Sequence, residues 1–137
     1  MKKVRKVIMY VFRRRNGIIE FLCVHRKKGD SVVITGHVGD FIPGEKDRHA
    51  VKREIKEELD VETLKIWDLK YQNLVALEST QQLSDEHGYL AEISNQDVEY
   101  LNGLEPVKWH EIDQLKKSLT YKNQKEPINK IRQILDL

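Results

Sequence analysis

The sequence has only one cysteine, only three prolines and no long apolar run. The single cysteine and the short apolar runs exclude whole classes of protein. Cys23 has no second cysteine to pair with, so an intramolecular disulfide scaffold is excluded and a reducing compartment is favoured. The longest apolar run, residues 7–12, is far shorter than the ~20 residues that a transmembrane helix needs. It is also shorter than the apolar region of a signal peptide, which covers about 7–15 residues. We therefore expect a cytoplasmic protein that does not act at a membrane.

Length and charge set broad limits. The chain of 137 residues is long enough for one domain, over residues 1–137, which buries roughly two-thirds of the unfolded chain's surface. The net charge of +2 does not indicate a partner, but cations are concentrated in the first 28 residues, where Glu20 is the only acid. Such a segment binds nucleic acid or attracts a phosphorylated small molecule in some proteins, although solvated strand flanks are the commoner explanation. Nucleic acid is therefore not the expected partner.

Apolar and β-branched residues predict strands in much of the chain. The predicted strands cover residues 4–12, 18–25, 31–35, 64–77 and 88–93, with a short one around residue 108. Asn16 and Gly17 separate the first two, and this dipeptide is typical of a two-residue β-hairpin turn. The third strand is expected to end at Gly36. Residues 79–87 are polar, and no element is predicted there.

A glycine-rich loop over residues 36–44 precedes the clearest predicted helix, at residues 47–59. Asp47 is its predicted N-cap. Three apolar residues one turn apart predict the face that packs on the core: Val51, Ile55 and Leu59. Further helices are expected at residues 111–119 and from about residue 123. Strands, a helix, strands and then helices indicate a layered α/β or α+β domain.

An acidic cluster on the first helix suggests a chemical function. Glu54, Glu57 and Glu58 stand at positions i, i+3 and i+4, which places them on one arc of the helix. Their repulsion, a few tenths of a kcal/mol per pair or more, is offset by a hard cation such as Mg²⁺, which prefers carboxylate oxygens. A solvated acidic face is the alternative. Arg53, expected on another side of the helix, is placed to form a bidentate pair with Glu45 and hold the loop on the helix.

These residues resemble the Nudix box, in which Gly, five residues, Glu and seven residues precede Arg-Glu-aliphatic-any-Glu-Glu-any-Gly-aliphatic. The matching positions are Gly39, Glu45, Arg53, Glu54, Ile55, Glu57, Glu58 and Val61. One departure is Asp60, which replaces the last glycine; Asp tolerates the left-handed conformation expected past a helix end. The other concerns the loop, because Gly36 is an alternative to Gly39 as the glycine that opens the box.

The resemblance implies the Nudix fold, a mixed β-sheet flanked by helices in an α/β/α sandwich of the α+β class. It also implies a Mg²⁺-dependent pyrophosphohydrolase, with Mn²⁺ as an alternative ion, that cleaves a phosphoanhydride bond of a nucleoside diphosphate linked to another moiety. A nucleoside triphosphate or a dinucleoside polyphosphate is the expected small-molecule substrate. A non-catalytic Nudix-fold module that senses a nucleotide or RNA is the alternative function. Oligomeric state is not predicted.

Roles for individual residues follow from the same resemblance. The implied metal ligands are Glu54, Glu57 and Glu58, together with the backbone of Gly36 or Gly39. Arg53 and Glu45 are implied to orient the ligands, and the resemblance leaves open that one of the glutamates is also the base. Later carboxylates that could act as a further ligand or general base are Glu105, or in reserve Asp97 and Glu99, with a solvated loop acid as the alternative.

Three residues outside the box have open or ordinary interpretations. Arg26 either binds a phosphate or belongs to a solvated turn. Cys23 alternates with apolar neighbours in a predicted strand, which indicates a buried packing residue. His110 precedes a predicted helix, and nothing around it in the sequence indicates a function.

Overall fold

The computed structural model describes residues 1–102 and 104–137. Its strands are β1 (Lys2–Arg15), β2 (Ile18–His25), β3 (Ser31–Val32), β4 (Ile34–His37), β5 (Thr63–Leu77), β6 (Gln82–Ile93), β7 (Tyr100–Leu101) and β8 (Glu105–His110). Its helices are α1 (Asp47–Leu59), α2 (Ile112–Ser118), α3 (Lys122–Lys125) and α4 (Ile128–Leu135), and a 3₁₀ turn covers Glu78–Thr80. Among the described residues, no helix has the length and apolar character needed to cross a membrane.

The strands form one mixed sheet in the order β5-β6-β1-β2-β8-β7, with β3 paired to β2 and β4 paired to β1. Strand β1 is central: it runs parallel to β6 and antiparallel to β2 and β4. Asn16 and Gly17 connect β1 to β2 with φ angles of 52° and 76°. Two successive positive φ values are those of a type I′ turn, so the predicted hairpin is confirmed.

Each face of the sheet supports a separate apolar layer, because alternate residues of β1 point to opposite sides. One layer joins the β1 residues Val7, Met9 and Val11 to the α1 residues Ala50, Val51, Ile55 and Leu59. The other joins Ile8, Tyr10 and Phe12 to residues at or near α2 and α4: Ile112, Leu115, Leu119, Ile128 and Ile131. Helices therefore cover both faces, and the predicted α/β/α sandwich is confirmed.

The bounds of α1 agree with the prediction, but its N-cap does not. Lys46 occupies the N-cap without a side-chain capping bond, and Asp47 is the first helical residue. The Asp47 carboxylate instead accepts hydrogen bonds from Arg5 Nε at 2.8 Å and Tyr89 Oη at 2.7 Å. These contacts connect the start of α1 to β1 and β6. At the other end Asp60 has a φ of 56°, the left-handed conformation expected there.

Two segments differ from the predicted strand pattern for a shared reason, which is pairing with distant strands. The strand expected at residues 31–35 divides at Val33, whose amide donates to the Gln124 side chain at 3.0 Å, because β3 pairs with β2 and β4 with β1. Most of residues 79–87, where no element was predicted, belong to β6. This polar segment is a strand because β1 and β5 bind both of its edges.

Several cations of the basic first 28 residues contact acidic side chains or lie inside the fold. Arg5 binds Asp47, Arg14 binds Glu92, Arg15 binds Asp97 and Arg26 binds Asp30. Arg13 is buried, with its guanidinium carbon 4.0 Å from the centre of the Trp109 ring. These contacts agree with an ordinary strand flank, except that Arg13 is not solvated.

Candidate active site

Arg53 connects the glycine-rich loop to helix α1. Its Nε and Nη2 atoms donate to the two carboxylate oxygens of Glu45 at 2.8 and 3.0 Å, which is the bidentate pair expected from the spacing. Nη2 also donates to the His37 carbonyl oxygen at 2.9 Å. Glu45 in turn accepts a bond of 3.1 Å from the Gly39 amide. These bonds fix both ends of the loop against one guanidinium group.

The Glu45–Arg53 pair is partly buried, and its carboxylate is shielded from solvent. The Glu45 side chain is 1% exposed, and hydrogen bonding to Arg53 is the main reason that its pKa lies below the ordinary value. The same pair, with Glu54, raises the pKa of Arg53. Both groups are therefore charged at neutral pH, and each depends on the other because a buried charge without a partner is strongly destabilising.

Arg53 also contacts the acidic cluster, contrary to the expectation that it lies on another side of the helix. Its Nη1 atom donates to Glu54 at 3.0 Å and to Glu57 at 3.2 Å. Arg53 and the glutamates do leave α1 in different directions around its axis. The long Arg53 side chain nevertheless extends along the helix, so its guanidinium lies between the loop and the acidic side chains. One residue thus positions two of the three expected metal ligands.

The glutamates of the cluster are not equally buried, as Glu54 and Glu57 show. Glu54 has 12% of its side chain exposed and Glu57 has 57%. Burial raises the pKa of Glu54, and Arg53 offsets only part of that effect. Burial also raises the pKa of Glu58, and the neighbouring charges of Glu54, Glu57 and Glu105 raise it further. The cluster therefore holds more negative charge than Arg53 neutralises.

Both candidate glycines of the loop contact the box, at different residues. A Cβ atom on Gly36 would lie 2.5 Å from Cγ and Cδ of Glu54, so a larger residue does not fit there without displacing that glutamate. Gly39 has a φ of +82°, a conformation that favours glycine, and its amide binds Glu45. Gly36 thus makes room for an expected ligand, whereas Gly39 belongs to the loop clamp.

Of the three later carboxylates considered as candidates, Glu105 is the one that lies at the acidic cluster. It lines a cavity of about 210 Å³ together with Glu58, Arg26 and Thr35. The reserve candidates do not reach this cavity. They line a different one beside Trp109, and Asp97 is bound to Arg15 at 2.6 Å.

A second cavity, of about 360 Å³, adjoins the first and shares Arg26, Val33 and Thr35 with it. Lys6 and Tyr121 also line this second cavity. The Arg26 guanidinium is held by Asp30, which also accepts a 2.7 Å bond from Tyr121 Oη. The two hollows together form a polar groove that runs from the acidic cluster to an aromatic ring.

Comparison with known proteins agrees with this geometry. The family model described as the NUDIX domain matches residues 2–131. The chain belongs to the Nudix family. The prediction of a Nudix hydrolase, which acts on phosphoanhydride bonds, is confirmed at the level of the family. No curated protein sequence matches this Nudix domain.

Solved structures of several differently named proteins are similar to this Nudix domain. A C. elegans Ap4A hydrolase in a binary complex is 23% identical, with a TM-score of 0.74 and coverage of 97% of this chain and 98% of its own. The E. coli dihydroneopterin triphosphate pyrophosphohydrolase is 13% identical, with a TM-score of 0.73 and coverage of 97% and 96%. The NUDIX domain of Shewanella oneidensis NrtR, solved with ADP ribose, is 19% identical, with a TM-score of 0.72 and coverage of 98% and 90%. At these identities the likeness establishes the fold.

The donor set of the Nudix box fits a hard divalent cation. Its side chains offer carboxylate oxygens, the ligands that Mg²⁺ and Mn²⁺ prefer. Burial is the main cause of the raised pKa values of Glu54 and Glu58, and the neighbouring carboxylates raise both further. A divalent cation bound there would neutralise these carboxylates. The carboxylates are spread rather than gathered: among the described residues, three potential ligands lie mutually within 4.8 Å only at Cys23, His25 and His110.

Sequence reasoning missed that second group, as well as the contact between Gly36 and Glu54. Cys23 and His25 share a strand face, which the alternation of β2 indicates. Nothing local indicates that His110 joins them, because the pairing of β2 with β8 brings together residues more than eighty positions apart.

Proposed function

We propose that this Nudix domain is a pyrophosphohydrolase dependent on Mg²⁺ or Mn²⁺, with a nucleoside triphosphate or dinucleoside polyphosphate as substrate. One observation carries the proposal. Arg53 bonds both Glu54 and Glu57 on α1, and Glu58 lines the same cavity as Glu105. Several acidic side chains along the wall of one groove, with a single arginine to neutralise them, are typical of a functional site.

The residues of the box would have distinct roles. Glu54, Glu57 and Glu58 would hold the ion, with a backbone group of Gly36 or Gly39 as a further ligand. The bound ion supplies charge neutralisation for the diphosphate and a lower pKa for the attacking water. Arg53 and Glu45 keep the glutamates and the loop in register, as positioning residues. Glu105 lies beside Glu58, where it would accept the proton of that water.

The groove supports a nucleotide with several phosphates. Lys6 and Arg26 place cationic side chains at the second cavity together with Tyr121, whose ring offers a surface on which a base can stack. Two of the similar structures bear the names of enzymes for polyphosphorylated compounds, an Ap4A hydrolase and a dihydroneopterin triphosphate pyrophosphohydrolase. We therefore extend the proposal to this substrate class.

The test is a hydrolysis screen over nucleoside triphosphates, dinucleoside polyphosphates and ADP-ribose, with Mg²⁺, Mn²⁺ or chelator, and with product identification. Glu57→Gln and Glu58→Gln remove one carboxylate each. Replacement of a group that only orients a ligand costs about 10–100-fold, so loss of a ligand should lower turnover by more than about a hundredfold. Glu62→Gln is the matched control, since Glu62 is exposed beyond α1 and contacts Lys56.

Unchanged turnover in both ligand variants would reject the assigned roles. Tight nucleotide binding in calorimetry without hydrolysis of any compound would instead support the sensor function. Two expectations remain predictions: that residues 1–137 form one domain, and that the protein is cytoplasmic.

A further inference from the structure

Cys23, His25 and His110 form a second group of potential metal ligands, separate from the Nudix box. Cys23 and His25 lie two residues apart on β2, and β8 places His110 opposite Phe21 in the adjacent strand. The three ligand atoms lie within 4.8 Å of one another. Cys23 belongs to the apolar layer beneath α2 and α4, whereas α1 and its glutamates cover the opposite face of the sheet.

The two imidazoles each have a ring nitrogen without a partner. Nε2 of His25 and Nε2 of His110 are both buried and make no hydrogen bond. Their rings are 6.1 Å apart between centroids and nearly perpendicular, at 83°. Most buried polar atoms in proteins are hydrogen-bonded, so two such orphans on adjacent rings require an explanation. A ligand bound between them supplies it.

The other ring nitrogen of His25 is already held. Nδ1 lies 2.9 Å from the Ser31 hydroxyl, which fixes the orientation of the ring and leaves Nε2 directed elsewhere. A histidine that binds a metal almost always has its second nitrogen hydrogen-bonded in this manner. Ser31 is itself fixed, since its amide donates to the Thr120 hydroxyl at 2.8 Å.

We propose that Cys23, His25 and His110 bind one transition-metal ion of the Zn²⁺ class. One thiolate and two imidazoles are ligands of borderline softness, which suit Zn²⁺ and not Mg²⁺, and three protein ligands leave a fourth position open. Given zinc–nitrogen and zinc–sulfur bonds of about 2.0 and 2.3 Å, ligand atoms around one ion lie roughly 3.3–3.6 Å apart. The ligand atoms of the three residues lie up to 4.8 Å apart, so their side chains must rotate to bring these atoms closer around an ion.

The two histidines and the cysteine of this site differ in whether they must lose a proton to bind a metal ion. Burial lowers the pKa of both histidines, and Lys108 lowers it further, so both imidazoles are neutral and ready to bind. Burial raises the pKa of the Cys23 thiol to about 11, so the sulfur–metal bond forms as the thiol proton is released to solvent. The ion would join β2 to β8 just ahead of α2.

The test uses the full chain, titrated with Co²⁺ as a spectroscopic substitute for Zn²⁺ in excess Mg²⁺, which competes for carboxylates. We expect a thiolate-to-cobalt absorption band that saturates at one equivalent and disappears on addition of Zn²⁺. Cys23→Ser should abolish the band, and Ser31→Ala should weaken binding about 10–100-fold. His110→Gln should weaken it by more than that. His87→Gln and Glu58→Gln are controls that should keep the wild-type band.

Thermal unfolding separates loss of the site from loss of the fold. Zn²⁺ should raise the melting temperature of the wild type and of His87→Gln but not of His110→Gln, since an ion that binds only the folded state stabilises it. If Cys23→Ser does not fold, His110→Gln and Ser31→Ala decide the matter. A folded wild type without the band, or equal Co²⁺ affinity in His110→Gln, would overturn the proposal. Neither result bears on hydrolysis at the Nudix box.

Discussion

Replacement of Gly36 by alanine tests whether this glycine sets the position of Glu54. The added Cβ would lie 2.5 Å from Cγ and Cδ of Glu54, whereas carbon atoms in contact are separated by about 3.5–4.0 Å. Either the strand or the glutamate must therefore move by about 1 Å. Strand β4 is paired with β1 through Gly36 and Val7, so the side chain is the part that yields.

The displaced Glu54 loses its 3.0 Å bond to Arg53 and its place in the cluster. A misplacement of about 1 Å can reduce catalysis about a hundredfold, so we expect a fall of that size in kcat/KM. Overpacking costs about 1–3 kcal/mol of folding free energy, or a fall in Tm of roughly 3–10 °C for a chain of this size. Activity should therefore suffer far more than folding. The assays are hydrolysis of the best substrate from the screen and thermal unfolding.

Gly88→Ala is the matched control. Gly88 also lies in a strand, and its added Cβ would lie 3.3 Å from Cδ2 of Tyr71, a tight contact away from the glutamates. We expect a small fall in Tm and unchanged turnover. If Gly36→Ala proves as active as Gly88→Ala while both are folded, Gly36 does not position Glu54 or Glu54 has no part in the reaction.

Two further predictions concern the contacts of α1. Arg53→Gln leaves the Glu45 carboxylate, which is 1% exposed, without its cation, so the free energy of unfolding in urea should fall by about 3–5 kcal/mol. Arg48→Gln, on the exposed side of α1, is the control and should cost much less. Equal losses would contradict the conclusion that Arg53 connects the loop to α1. Burial raises the pKa of Asp47, but bonds from Arg5 and Tyr89 outweigh it and lower the pKa overall. Because the folded pKa lies below the unfolded one, this stabilisation is complete above the unfolded value, about 3.9, and disappears as pH falls through the folded value. Asp47→Asn should therefore cost about 1.5–3 kcal/mol at pH 7, with the difference from wild type shrinking below pH 4, and a pH-independent difference would refute the assignment.

Local patterns in the sequence were sufficient for much of the fold. The Asn16-Gly17 turn, the bounds of α1 and the left-handed Asp60 each depend on a few adjacent residues, and each was predicted correctly. The spacing of the Nudix box also indicated the Glu45–Arg53 pair, since a short loop before a helix brings these two positions together.

The local pattern was insufficient where distant segments decided the secondary structure. Residues 82–87 have the polar composition of a loop, yet they form a strand because β1 and β5 satisfy the backbone groups on both edges. Asp85 is tolerated inside that strand because Gln72 donates to it at 2.7 Å. No pattern within the segment carries that information.

The sequence by itself determined the family, the acidic arc on α1 and the residues that stabilise its loop, because helix and turn geometry depend on near neighbours. Only the tertiary structure decided that Gly36 lies against Glu54, that Glu105 lies beside Glu58 and that His110 meets Cys23. These contacts join segments far apart in the chain. They depend on which strands pair and in what register, and the pairing is settled by the burial of the whole sheet between its helices.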